Sequence, residues 1–347
     1  MILRLAIIGF GNVGQEFARM LLQKRQWLLR NKGLDVEVLA IATKSKGSLL
    51  SRCAIDLEAA LKHLEEKRTF KGLPEYCDLP ALKIISNCDA DMMIELTTLN
   101  VESGQPAIDH IKTALDVGMD VVTANKGPVA WAFDELRDRA RARSLRFRFE
   151  GTVMDGTPVF NLVERTLPGC QIIGLEGVLN STSNFVLDEM VKGRTMESAI
   201  KEAQAMGIAE ADPSLDIDGW DAAAKITALA NVIMEAGLTP KDVQREGIRG
   251  MTPEHIKSVA AKGNRIRLVA RAERSGGTAK LSVEPKVIGP DSIFWSVQGT
   301  SSALKFETDL MGDLAIMEIG PGTTQTAYAI FSDMLMTIEA IRAGTLF

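Results

Sequence analysis

An apolar run that begins at Leu3 stops at Gly9-Phe10-Gly11-Asn12-Val13-Gly14, and this hexapeptide limits the fold more than any other stretch of the chain. Leu3 to Gly9 is apolar apart from Arg4 and has the length of a buried strand. The residues that follow place Phe17, Met20, Leu21 and Leu22 along one side of a helix. In a strand–turn–helix, the first glycine allows the tight turn and the second lets a pyrophosphate approach the backbone. The third lets helix and strand pack closely, and the helix N-terminus turns its N–H groups toward the phosphates. G-x-G-x-x-G alone is a weak signal. Between a strand and a helix it argues for a dinucleotide site built on Gly9, Gly11, Asn12, Val13 and Gly14.

The next apolar strand, Val36 to Ala42, ends where an adenosine ribose would sit. An NAD site usually offers a carboxylate there, but this chain has Thr43-Lys44-Ser45-Lys46. Two cations and two hydroxyls suit the 2′-phosphate of NADP, with Thr43 and Lys44 leading the turn. They describe a basic surface turn equally well. Two more apolar strands, Asp91 to Thr98 and Asp120 to Gly127, flank a helix around Ala107 to Val117. This alternation predicts a doubly wound parallel sheet with ligands at the C-terminal ends of its strands. Thr97, Thr98, Asn125 and Lys126 fall at such ends.

The 347 residues exceed a single core, so two domains are expected. A net charge of −5 gives no general attraction to nucleic acid or an anionic membrane. The six arginines between Arg137 and Arg148 fit an exposed helix face followed by an alternating strand. No uncharged apolar run nears the roughly 20 residues that span a bilayer, and the N-terminus lacks the order of a signal peptide. A cytoplasmic protein is expected. The four cysteines are scattered and the three histidines lie away from every motif. Acid–base work therefore falls to lysines and carboxylates.

Beyond Glu150 the texture changes. A glycine-rich loop, EGTVMDGTP, precedes a strand that runs into a helix at LEGVLNSTSNFVLDEM. Residues 210–225 then hold five carboxylates and close on Lys225. Strands alternate past Asn264, and an apolar helix starts near Thr326. Taken alone, Asp221 and Lys225, four apart on a helix, read as a surface ion pair.

Together, GFGNVG (9–14), TANKGP (123–128), LNSTSNF (179–185), EADPSLDIDGWDAAAK (210–225) and GPGTTQTA (320–327) resemble the homoserine dehydrogenases over nearly the whole chain. Those enzymes interconvert L-homoserine and L-aspartate 4-semialdehyde with NAD(P). The resemblance implies an α/β protein with an N-terminal doubly wound Rossmann domain (1–150). An α+β substrate and dimerisation domain with an open, mostly antiparallel sheet follows (151–310), and a C-terminal segment (311–347) returns to the first domain. It also implies a homodimer without a regulatory extension.

By the same resemblance, Lys126, after the fifth parallel strand, and Lys225 flank the substrate hydroxyl and move its proton. Glu210, Asp216 and Asp221 hold the substrate, with Ser181 and Thr182 lining the pocket. Gly322 and Thr323 touch the cofactor, NADP or alternatively NAD. Glu150 and the carbonyls of Val153, Asp155 and Thr157 match a structural sodium site. The chemistry is sound: an ordinary lysine is a poor base at neutral pH, but desolvation and a second cation both favour its amine form.

Two departures bear on the substrate. Met154 and Asp155 stand where the family has small residues, and Ile208 replaces a tyrosine. They keep open a family enzyme acting on another small hydroxy or keto acid. A non-catalytic nucleotide-binding protein on the same fold is the remaining alternative.

Overall fold

Leu3, Leu5 and Ile7 alternate with Ala6 and Ile8 along the first strand, and all five are buried. A strand with two apolar faces belongs inside a sheet covered on both sides. The computed structural model, which describes residues 1–346, has that arrangement. Its first compact unit spans Met1–Thr157 and the C-terminal stretch from Gly322. There β1 (Ile2–Ile8), β2 (Asp35–Ala42), β3 (Ser48–Leu50), β4 (Tyr76–Cys77), β5 (Met92–Glu95), β6 (Asp120–Thr123) and β7 (Phe147–Arg148) form one sheet. Their order is β4-β3-β2-β1-β5-β6-β7.

The pairs from β2 to β7 are parallel, whereas β3 and β4 add an antiparallel edge that the strand–helix rhythm did not announce. Lys126 follows β6, so it comes after the fourth parallel strand in chain order rather than the fifth. Leu3, Leu5 and Ile7 pack with the helices Asn12–Trp27, Leu57–Lys67 and Thr323–Ala343. Ala6 and Ile8 face the helices Ala81–Asn87, Ala107–Asp116 and Lys126–Ala142. Each fully buried Leu or Ile contributes roughly 1.5–3 kcal/mol. The sheet order turns back at β1, which places a crevice beside the ends of β1 and β5. Most of the arginine run is paired: Arg137 meets Asp134, and Arg139 and Arg143 both meet Asp116.

The second unit, Pro158–Pro321, holds β8 (Ile172–Val178), β9 (Gln244–Arg245), β10 (Arg265–Ser275), β11 (Thr278–Ile288), β12 (Ser302–Thr308) and β13 (Asp313–Glu318). They run β13-β12-β8-β10-β11-β9, antiparallel throughout except where the short β9 joins β11. The helices Ser181–Val191 and Trp220–Met234 lie against this sheet. Across it, Glu176 stands opposite Arg271 and Lys305 on neighbouring strands, and Glu307 bridges those two cations. The units divide at Thr157/Pro158 and Pro321/Gly322, seven and eleven residues beyond the 150/151 and 310/311 positions expected from sequence. No described helix is long and apolar enough to cross a membrane.

Candidate active site

Gly9 has φ +98°, and its N–H donates to the Ala42 carbonyl at 2.8 Å. A Cβ there would collide with the carbonyl of Leu96, so the turn lies directly on the chain leaving β5. Gly14 is equally confined, against the Gly9 carbonyl. Gly11 differs: the space beside it is open, and it caps the helix Asn12–Trp27 with no side chain bonded to the helix N–H groups and no acid in the first turn. Gly11 and Asn12 are exposed, and Val13 is half-buried. This open, uncapped helix end with N–H donors fits a pyrophosphate.

In the turn after β2, Thr43 and Lys46 are tied to neighbouring backbone. The Thr43 hydroxyl donates to the Gly47 carbonyl at 2.7 Å and accepts the Lys46 N–H at 2.9 Å. The Lys46 ammonium donates to the Phe10 carbonyl at 3.2 Å. Lys44 and Ser45 are left exposed. At the ends of β5 and β6, Asn125 caps the helix Lys126–Ala142 through the Gly127 N–H at 3.0 Å. Its amide donates to the Thr97 carbonyl at 3.0 Å, while Thr98 is exposed. Sequence reasoning missed a residue beneath them, Glu95, which is fully buried. Its only signal was a charge at the end of an apolar strand.

Gly322 caps the helix Thr323–Ala343, and Thr324 donates to Glu16 at 3.0 Å, so the C-terminal turn sits beside the dinucleotide helix. Asp155 accepts the Thr326 hydroxyl at 2.5 Å from a backbone with φ +43°. Met154 is buried. Of the two residues expected to alter pocket volume and charge, Asp155 thus ties its loop to the C-terminal helix, and Met154 is shielded from solvent. Glu150 is buried in the same loop, and its N–H donates to Asp333 at 2.8 Å.

In the second unit, Asn180 organises the acidic stretch. Its Oδ1 caps the helix Ser181–Val191 through the Ser183 N–H at 2.8 Å. Its Nδ2 donates to Asp216 at 2.6 Å and to Asp221 at 2.9 Å. Lys225 Nζ stands 3.3 Å from Asp221 and donates to the Leu179 carbonyl at 2.6 Å. The side chains of Lys225 and Asp221 are only 16% and 12% exposed, so this is no surface ion pair. Asn180 was not singled out from sequence, although an Asn before Ser-Thr-Ser is a recognisable helix cap.

The other acids separate from this cluster. Asp218 pairs with Arg249 at 2.7 Å, and Asp212 accepts the Ser214 N–H at 3.0 Å. Glu210 is exposed on the preceding loop, outside these hydrogen bonds. Ser181 donates to the Thr300 carbonyl at 2.8 Å, and Thr182 to the Ile208 carbonyl at 3.3 Å.

Burial and then the charge of Asp221 push the Asp216 carboxyl above the usual aspartate range. Hydrogen bonds from Asn180 and Thr182 and the charge of Lys225 oppose them. An acid raised in this way favours the folded state fully below its unfolded pKa of about 4, and that advantage is lost as pH climbs through the folded value. Asp216→Asn is accordingly expected to raise the thermal midpoint at pH 7, with the gain vanishing in acid, where the wild-type carboxyl is neutral too. A lower midpoint at pH 7 would show that the carboxylate's hydrogen bonds outweigh its burial.

Residues 158–335 match the homoserine dehydrogenase family, and residues 9–150 match the NAD-binding domain of homoserine dehydrogenase. The chain belongs to the homoserine dehydrogenase family. The homoserine dehydrogenase of Methanocaldococcus jannaschii is 38% identical over 331 residues, 95% of this chain and 96% of its own. The NAD(+)-dependent homoserine dehydrogenase of Pseudomonas canavaninivorans is 35% identical over 334 residues, 96% of this chain and 95% of its own. A hyperthermophilic archaeal homoserine dehydrogenase solved with NADPH has 30% identity and a TM-score of 0.83, with 98% of each chain covered. Like other homoserine dehydrogenases, the chain is an oxidoreductase that uses a nicotinamide cofactor.

Proposed function

We propose that the chain oxidises L-homoserine to L-aspartate 4-semialdehyde, and reduces the aldehyde back, through the buried cluster of Asp216, Asn180, Asp221 and Lys225. That cluster is the observation that carries the assignment. With both acids ionised, two carboxylates face one lysine, and the surplus negative charge suits an α-ammonium. The nicotinamide cofactor accepts or returns the hydride. The chain's part is to hold the substrate and move the hydroxyl proton. Lys225, anchored by Asp221 and the Leu179 carbonyl, is assigned to that proton together with Lys126 at the start of its helix. Glu210, Ser181 and Thr182 are assigned to the rim of the same pocket.

We assign the cofactor to the turn of Gly9, Gly11, Asn12, Val13 and Gly14, to Thr97, Thr98 and Asn125, and to Gly322 and Thr323. NADP is the preferred form in this reading, because β2 ends without a carboxylate and leaves Lys44 exposed to meet a 2′-phosphate. Nicotinamide absorbance with homoserine, offering NAD⁺ and NADP⁺ separately, tests both points. Homoserine-dependent reduction is expected, with the lower KM for NADP⁺, and Lys44→Ala is expected to cut that preference by about tenfold. Turnover of a different hydroxy acid but not homoserine would sink the substrate assignment and point to Ile208.

A homodimer is part of the proposal, supported by the charge ladder of Glu176, Arg271, Lys305 and Glu307, whose alternating signs can pair with a second copy. Sedimentation at the mass of one 37.7-kDa chain would contradict it. Glu150 and the carbonyls of Val153, Asp155 and Thr157 combine one carboxylate with three neutral oxygens, donors that suit a hard cation. A structural sodium there takes no part in the hydride step. A thermal midpoint indifferent to sodium against potassium would count against it.

A further inference from the structure

We propose that Glu95 is a positioning residue that sets the nicotinamide end of the cofactor site by tying the loops after β5 and β6 to one buried carboxylate. The inference rests on the nicotinamide lying at those strand ends, as the proposed function has it.

Glu95 closes β5 with none of its surface exposed. A carboxylate so placed is costly unless donors surround it. The donors come from the loop after β5 and from the end of β6. Oε1 accepts the N–H of Thr97 at 3.2 Å and also the Thr97 hydroxyl. The hydroxyl of Thr123, the last residue of β6, is shared between the Glu95 carbonyl at 3.0 Å and Oε2 at 3.3 Å. From the far side, His110 Nδ1 on the helix Ala107–Asp116 stands 3.5 Å from Oε1. These ties continue outward: the Asn125 N–H donates to the Thr123 hydroxyl at 3.0 Å, and the Asn125 amide closes on the Thr97 carbonyl. Asn125 then caps the helix that begins with Lys126.

The loop held in this way is also the one against the dinucleotide turn. A Cβ on Gly9 would strike the Leu96 carbonyl and the Thr97 nitrogen, so the segment that Glu95 holds starts directly beside that turn and leads away from it toward the nicotinamide end. A carboxylate serves here because acceptance from several sides is needed. Its two oxygens present acceptors to Thr97 on one side and to Thr123 on the other, whereas an amide would turn an N–H₂ toward donors on one side.

The test compares two ligands on the full chain: NADPH, and 2′-phospho-ADP-ribose, which lacks the nicotinamide. Glu95→Gln is expected to weaken NADPH by about tenfold and to lower kcat by a similar factor, while 2′-phospho-ADP-ribose binds as in wild type. Thr123→Val, which removes the hydroxyl that joins Glu95 to the Asn125 N–H and leaves the carboxylate with its Thr97 donors, is expected to shift NADPH the same way by a smaller factor. It decides the matter if Glu95→Gln does not fold. Equal weakening of both ligands would mean a general loss of the domain and would overturn the proposal, as would unchanged NADPH affinity. Both constants are measured without homoserine, so failure of the reaction assignment would leave this comparison readable.

Discussion

Lys225→Ala is expected to lower kcat/KM for homoserine by about a thousandfold while NADPH affinity stays within about twofold of wild type. The size follows from the site. The Lys225 ammonium is held on both sides, by Asp221 at 3.3 Å and by the Leu179 carbonyl at 2.6 Å, so it is aimed rather than mobile. Alanine removes the group assigned to the hydroxyl proton and also leaves Asp216 and Asp221 facing each other across Asn180 with no Lys225 cation between them. The substitution therefore combines lost proton transfer, worth roughly 10²–10⁴ in typical enzymes, with a less favourable acidic pair.

Lys225→Arg keeps the charge and not the proton chemistry, and its rate should stay low. Lys126→Ala is expected to lower kcat as well without unravelling its helix, since Asn125 rather than Lys126 caps it. The readout is nicotinamide absorbance for turnover and fluorescence titration for NADPH. Turnover within about tenfold of wild type would remove Lys225 from the mechanism.

The second large effect is at Gly9. Gly9→Ala should abolish measurable NADPH binding, a loss of at least about a hundredfold, and lower the thermal midpoint. A left-handed backbone costs an L-residue roughly 1–2 kcal/mol. At Gly9 the steric cost is greater, because the new Cβ meets the Leu96 carbonyl and must move either the phosphate-binding turn or the loop after β5. Gly33 separates backbone strain from collision. It has φ +57° with open space where a Cβ would go, so Gly33→Ala should lose a little stability and keep cofactor affinity. If both glycines behaved alike, close approach would not be what confines Gly9.

The chain's local patterns carried much of the architecture. The strand–turn–helix at residues 2–27, the strands β2, β5 and β6, and the helix Ala107–Asp116 stand within a few residues of their expected places. Periodicity over several residues makes such elements visible. The strands β3 and β4, with three and two residues, are too short to show a period. Their pairing comes from the partner strand rather than from their own composition.

The five acids of residues 210–225 divide the same way. Their density marked the segment, but spacing could not tell Asp216 and Asp221, joined through Asn180, from Asp218 with Arg249 or Asp212 at a helix start. Met154 and Asp155 looked like changes to the pocket because they sit in a glycine-rich loop. In space Asp155 is bonded to Thr326, and Met154 is buried.

By itself, then, the sequence determined the doubly wound nucleotide fold and the family, and it marked the short segments to which the chemistry is assigned. These depend on contacts between residues close along the chain: a turn of glycines, a helix cap, an apolar alternation. The tertiary structure alone decided which polar groups act together. Asn180 meets Asp216 and Asp221 from 36 and 41 residues away, and Glu95 meets Thr123 across 28. A hydrogen bond requires partners within about 3 Å in space. No local pattern specifies that distance between residues brought together only by the closing of a sheet.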